Sequence, residues 1–210
     1  MDKQGITGWL LKTEKLKVDI SLAAGIPVPS DPDGTRASMP ELDPTLEIGP
    51  ALHVKLWQHD HEYQSLWLSL PIRSAYSIDS LNIEHQGWVF TPAAIFNITR
   101  QHEHYWQANI SLGPLYGDAQ YHHYFYGVDK QYATPNRNPY RGKAGYAGVR
   151  ASISLIIRNK ARMISLYWRR DSLKNSVFSS SNLVKTNDYQ IIGLSYTWFL
   201  VKSSAITKAQ

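Results

Sequence analysis

Hydrophobic and polar positions alternate along most of this chain. In its last strong segment Ile192, Leu194, Tyr196, Trp198 and Leu200 share one face, with Gly193, Ser195 and Thr197 on the other. A two-residue period is that of a strand with unlike faces. The same period runs through 15–22, 45–56, 65–73, 104–112, 147–158 and 162–169. Segment 87–98 follows it more weakly, and segment 6–11 is ambiguous. The pattern predicts nine strands and no helix.

Alternation alone does not distinguish a soluble sandwich from a membrane barrel, because both hide one face. Three features favour the barrel. Several runs cover 9 to 13 residues; a tilted membrane strand needs ~9–11, whereas soluble strands average ~5–6. The connections also alternate. Lys12 to Lys15, Gln58 to His61, Thr99 to His102 and Asn159-Lys160 read as tight turns, while 23–44, 74–86, 113–146 and 171–187 read as long polar loops. Such sorting is the habit of outer-membrane barrels. Finally, Trp57, Trp88, Trp106, Trp168 and Trp198 fall near strand ends, as interfacial girdles require. The predicted fold is an all-β, antiparallel up-and-down transmembrane β-barrel. A soluble β-barrel binding module is the remaining fold-level alternative.

Composition narrows the function. With no cysteine among 210 residues, thiolate catalysis, disulfides and Cys-ligated metals are excluded. Lys and Arg number 22 against 17 Asp and Glu and are spread along the chain, so no nucleic-acid footprint emerges. Trp and Tyr, 7 and 13 against 5 Phe, suit surfaces that are part apolar and part wet. Met1 to Gly5 does not read as an export signal. Counting strands back from a periplasmic C-terminal end leaves the first strand starting outside. Even strand numbers are the bacterial rule, so the expectation is an N-terminally incomplete barrel over 1–201, lacking its export signal and at least one strand. Residues 202–210 read as a disordered polar tail.

Within a barrel the charged positions are constrained, since Lys or Arg facing lipid at the midplane costs ~2–4 kcal/mol. The alternation therefore turns Lys17, Asp19, Glu47, Lys55, Arg73, Arg150, Arg158 and Arg169 towards the lumen. They would make either a cationic channel for small anions or an interior plugged by paired charges. Arg162 has lipid-facing parity but lies at an edge where it can snorkel. Loop 113–146 is rich in Tyr, His, Gly and Pro, with Tyr124, Tyr126, Tyr132 and Tyr140 as candidate extracellular contacts. It reads as an adhesive surface or as a lid held by aromatic stacking. His59-Asp60-His61 reads as a polar turn, and His102 and His104 should lie far from His122 and His123. No catalytic residue, cofactor site or metal site is assigned, and no G-x-S-x-G nucleophile elbow occurs.

Several short stretches in order resemble the MipA/OmpV family of Gram-negative outer-membrane barrels. They are Met39 to Pro50, Gly113-Pro114-Leu115-Tyr116, Tyr121 to Asp129, Asp171-Ser172-Leu173, Ser176-Val177-Phe178, Ser181-Asn182-Leu183-Val184 and Ile192 to Phe199. Asn182 stands where that family usually has Pro, and eleven residues follow Phe199, past the aromatic end expected of such barrels. The resemblance implies location in the outer membrane, contact with its lipid, and no catalytic residues. It implies a scaffold for murein synthesis and turnover, with a lytic transglycosylase and a penicillin-binding protein as partners. A narrow porin-like channel is the alternative.

Overall fold

The computed structural model describes residues 9–27, 33–59, 63–79, 82–101, 105–159 and 161–198. Ten strands follow one another: β1 (Trp9–Lys12), β2 (Leu16–Gly25), β3 (Thr45–Gln58), β4 (Gln64–Asp79), β5 (Asn82–Phe90), β6 (Ala93–Gln101), β7 (Tyr105–Gly117), β8 (Gly145–Arg158), β9 (Arg162–Ser172) and β10 (Asp188–Trp198). One short helix, α1 (Ala119–Tyr126), separates β7 from β8. The strands form a single antiparallel sheet in sequence order, consistent with an all-β barrel. Among the described residues no ladder joins β1 to β10.

The strands β5 and β6 are two halves of one long strand. The first pairs with the upper part of β4 (Ile72↔Phe90 to Asp79↔Asn82), the second with its lower part (Gln64↔Ile98 to Ser69↔Ala93). Both also pair with β7. Thr91 and Pro92 break the strand between them, since Pro has no N–H to give to a ladder. Counted this way the sheet has nine staves, and each of the nine sequence segments falls on one. Residues 6–8 of the first segment and 199–200 of the last lie outside the described residues.

The sheet is apolar on the side that faces away from its own contacts. Ile20, Leu22, Leu46, Ile48, Leu52, Ile72, Ile110, Leu112, Ile153, Ile157, Ile164, Leu166, Ile192 and Leu194 are all exposed, Ile192 to 79%. Leaving so many large aliphatic side chains in water would cost ~25 cal/mol per Å² of apolar surface, far beyond the usual patch on a soluble protein. No helix among the described residues is long and apolar enough to cross a membrane, which says nothing of crossing by strands.

The ends of the sheet differ. At one end the connections are short. At the other, residues 26–44, 118–144 and 173–187 make long excursions. Two expectations are corrected here. The stretch 74–86 is no long loop: β4 runs on to Asp79 and β5 begins at Asn82. Ser74, Ala75 and Ser77 are small and buried there, and Ser74 interrupts the alternate large residues Ile72, Tyr76 and Ile78 that would mark a strand in sequence. The other correction is α1, inside a stretch read as irregular. Asp118 caps it, with Oδ1 accepting from the Tyr121 amide at 2.8 Å, and Gly127 follows its last residue.

Candidate functional site

The polar face of the sheet carries ion pairs rather than open charge. Arg73, on β4, donates from Nε to Glu47 Oε2 of β3 at 2.9 Å, from Nη1 to Ser21 and from Nη2 to Thr91, each at 3.1 Å. Further along the sheet, beyond the β5/β6 stave and β7, Arg150 of β8 donates from Nε and Nη2 to the two oxygens of Asp171 on β9, at 2.8 and 2.7 Å. Arg169 lies 3.4 Å from the same carboxylate, which also accepts from the Tyr189 hydroxyl of β10. Asp171 is fully buried. The fork geometry matches guanidinium to carboxylate with two parallel bonds.

Below these pairs runs a ladder of neutral polar groups. Tyr105 donates to Gln107, Gln107 to Asn109, and Asn109 to Ser154 at 3.0 Å; Ser111 faces Ser152 at 3.1 Å. His53 meets Asp19 at 3.2 Å. Nearer the short-turn end, Lys17 and Lys55 sit over the ring of Trp67, at 4.2 and 5.3 Å from its centroid. Arg158 is exposed at that end. Of the eight charged positions expected to face inward, the structure brings Glu47 to Arg73, Arg150 and Arg169 to a shared carboxylate, and Lys17 and Lys55 to one ring.

At the long-loop end α1 forms the centre of a lid. The Tyr121 hydroxyl donates to Glu47 Oε1 at 2.9 Å, tying the helix to the Arg73 pair. Tyr126 stacks on Phe178 with centroids 3.8 Å apart, and His122 meets the same ring edge-on at 4.9 Å. Arg137 donates to the carbonyl oxygens of Thr35, Ala37 and Tyr132. The backbone N–H of Asn138 donates to Asn182 Oδ1 at 3.1 Å. Three connections are thus bound into one body, and Asn182 supplies an acceptor that Pro lacks. Of the four tyrosines taken as outward contacts, Tyr124 bonds the backbone of Asp43 and Tyr140 that of Val177. Tyr126 is in the stack, and Tyr132 gives its carbonyl to Arg137.

The sequence reading missed Asp118, Asp171 and Tyr189. Asp118 holds both α1 and β5, because its Oδ2 also accepts from the Trp88 amide at 3.0 Å. Gly87 makes room for it with φ of +107°; a side-chain carbon there would lie 2.2 Å from Asp118 Oδ1. An Asp before and a Gly after 119–126 is a helix start-and-stop signal legible in the sequence. Asp171 continues the parity of Tyr167 and Arg169, but the sequence reading ends its strand at Arg169, three residues early.

Between lid and sheet lies a cavity of about 230 Å³. Tyr121, Phe125, Tyr126 and Phe178 line one side of it, Arg73 and Arg150 the other. Among the described residues no group of three His, Asp or Glu is placed to hold a metal ion. Asp60, His61, His102 and His104 lie outside the described residues.

The lid also contains a titratable weak point. His122 is fully buried, Nδ1 meets the carbonyl of Lys143 at 2.6 Å, and Nε2 has no partner. Burial lowers its pKa, opposed by that carbonyl and by Asp118. A histidine whose pKa is depressed in the closed lid favours closure above its ordinary value of ~6.5. That preference is lost as pH falls through the depressed value. The protection factors of the α1 amides, which take out the intrinsic pH dependence of exchange, should therefore be lower at pH 5 than at pH 7.5, and a His122→Gln variant should lose that difference. Equal protection of the native lid at both pH values would rule out the coupling.

A family model described as MltA-interacting protein MipA matches residues 1–199. The chain belongs to the MipA family. Comparisons with curated proteins and with solved structures found no match. In this MipA-family chain the stretches that carry the resemblance converge in space. Asp43 and Glu47, Leu115 and Tyr116, Tyr121 to Tyr126, Asp171, Leu173 and Phe178 all meet at the lid, the cavity or the two ion-pair clusters. The stretch from Ile192 to Trp198 lies elsewhere, on the sheet's last strand.

Proposed function

We propose that this MipA-type protein is an outer-membrane β-barrel with a structural, non-enzymatic role, anchoring partners of murein synthesis and turnover. The observation that carries the reading is the inverted polarity of the sheet, apolar outside and ion-paired inside, together with a lid packed over one end. The apolar face suits the hydrocarbon of the outer membrane. The eight charged positions named from sequence line the lumen, and the pairing of Asp19, Glu47, Arg73, Arg150 and Arg169 argues for a filled interior over a conducting one.

The partner would meet the short-turn end, in the periplasm. Lys12, Lys15, Arg100, Arg158 and Arg162 are exposed there, with Glu14 the acid among the described residues. An acidic partner surface is the complement. The family's description names MltA, a lytic transglycosylase, as its interaction partner. By resemblance a penicillin-binding protein would join it. Standard interfaces bury ~800 Å² per partner, and these turns offer several small contacts in place of one broad face.

The test is site-specific photocrosslinking from Lys15 and Asn159 in intact envelopes. Recovery of a lytic transglycosylase or a penicillin-binding protein from these sites, and not from Lys130 on the lid, is the expected result. Recovery of neither would overturn the anchoring role. Planar-bilayer conductance with anion preference, lost on replacing Arg73 and Arg150, would establish the channel instead.

A further inference from the structure

The cavity under α1 has an uneven hydrogen-bonding demand. Its carboxylates are filled: Glu47 takes Arg73 and Tyr121 on its two oxygens, and Asp171 takes Arg150 on both, with Tyr189 and Arg169 besides. Every guanidinium nitrogen of Arg73 is occupied. Two donors are left over. Arg150 uses Nε and Nη2 on Asp171 and makes no bond through Nη1 to any described residue. The Tyr126 hydroxyl, stacked with its ring on Phe178, donates to none of the described residues. Burial, with Tyr189 and Asp171 nearby, raises the pKa of that hydroxyl, so it stays a donor across the working pH range.

Charge points the same way. Arg73, Arg150 and Arg169 outnumber Glu47 and Asp171 by one around this space. The rest of the wall is aromatic or aliphatic, from Tyr121, Phe125, Phe178 and Leu173. An engineered cavity of ~150 Å³ accepts a benzene ring, so about 230 Å³ has room for a ring and one substituent. Barrels of about eight strands are of the width that holds one small ligand.

We infer that this cavity is a binding site for a small aromatic monocarboxylate, its carboxylate taken by Arg150 Nη1 and the Tyr126 hydroxyl and its ring by Phe125 and Phe178. The ligand supplies the acceptor and the single negative charge that the site lacks, and the flat apolar body that its wall fits. This site is independent of the anchoring role, since it lies at the opposite end of the sheet.

The experiment is isothermal titration of the full chain, refolded in detergent and checked for heat-dependent mobility on SDS gels. The probes are benzoate, acetate and benzyl alcohol. Benzoate should bind at least tenfold more tightly than acetate, which lacks the ring, and than benzyl alcohol, which lacks the charge. Arg150→Gln should weaken benzoate about tenfold or more, the loss of a charge-assisted bond. Tyr126→Phe, which keeps the stack on Phe178, should weaken it about threefold. No saturable benzoate binding by the folded chain would overturn the site. So would benzyl alcohol binding as tightly as benzoate, or a folded Tyr126→Phe variant indistinguishable from the parent. Should Arg150→Gln fail to fold, Tyr126→Phe and the probe series decide alone.

Discussion

Replacing Asp171 with Ala should destabilise the folded protein by about 3 kcal/mol or more, the largest loss expected from one side chain. Removing one partner of a buried ion pair costs ~3–5 kcal/mol, because the remaining charge stays buried and unpaired. Here three groups lose their common acceptor. Arg150 and Arg169 would face each other without a counter-ion, and the Tyr189 hydroxyl would lose its bond. The Arg150 side chain is 34% exposed, so the cavity's water screens part of the loss and places the effect towards the lower end. Urea unfolding of the refolded chain, followed by the heat-dependent gel shift, measures it. A double replacement, Arg150→Met with Asp171→Leu, should recover part of the stability, since the apolar pair removes the counter-ion demand of Arg150 and leaves that of Arg169. A near-neutral Asp171→Ala variant would show that the cluster does not hold β8, β9 and β10 together.

Replacing Ile153 with Arg should nearly abolish stable insertion while leaving the lid's chemistry untouched. Ile153 lies midway along β8, level with Ile110 on β7 and Trp168 on β9. It is 45% exposed on the apolar face. An arginine on a lipid face at mid-bilayer costs ~2–4 kcal/mol, comparable with much of the ~5–15 kcal/mol that holds a domain folded. In lipid vesicles the fraction reaching the heat-shifted form should fall steeply, whereas Ile153→Val should behave like the parent. Insertion of Ile153→Arg at the parental level would mean that this face does not meet hydrocarbon, and the membrane reading would fall with it.

Most of the sheet was legible because one apolar face and one polar face impose a simple rule on a strand. Where one face meets hydrocarbon and the other polar groups, large aliphatic residues recur at every second position. Ile153, Leu155 and Ile157 state this plainly, and so do Leu166 and Trp168. The rule ends where the bilayer would end. Ser74, Ala75 and Ser77 are strand residues packed on both faces by protein, and nothing in their size or polarity distinguishes them from a loop. Segment 87–98 was weak because Thr91-Pro92 divides it into two strands.

The charged positions were legible by exclusion, their partners were not. Parity turned Arg150 and Arg169 inward, yet it could not say that Asp171 would accept from both, because that pairing joins neighbouring strands at a register no local pattern specifies. Glu47 and Arg73 were each named, but their meeting with Tyr121 spans 74 residues of sequence.

The sequence by itself determined the strand pattern, three of the four long connections, and which side chains share a face with the polar residues. These follow from a two-residue period and the cost of a charge in hydrocarbon, both local properties. Only the tertiary structure decided that three long connections fold into one lid, that α1 lies over a cavity, and that Arg73 pairs with Glu47 and Arg150 with Asp171. Those outcomes depend on contacts between residues distant in the chain, where geometry across strands and loops, not the neighbours in sequence, sets which groups meet.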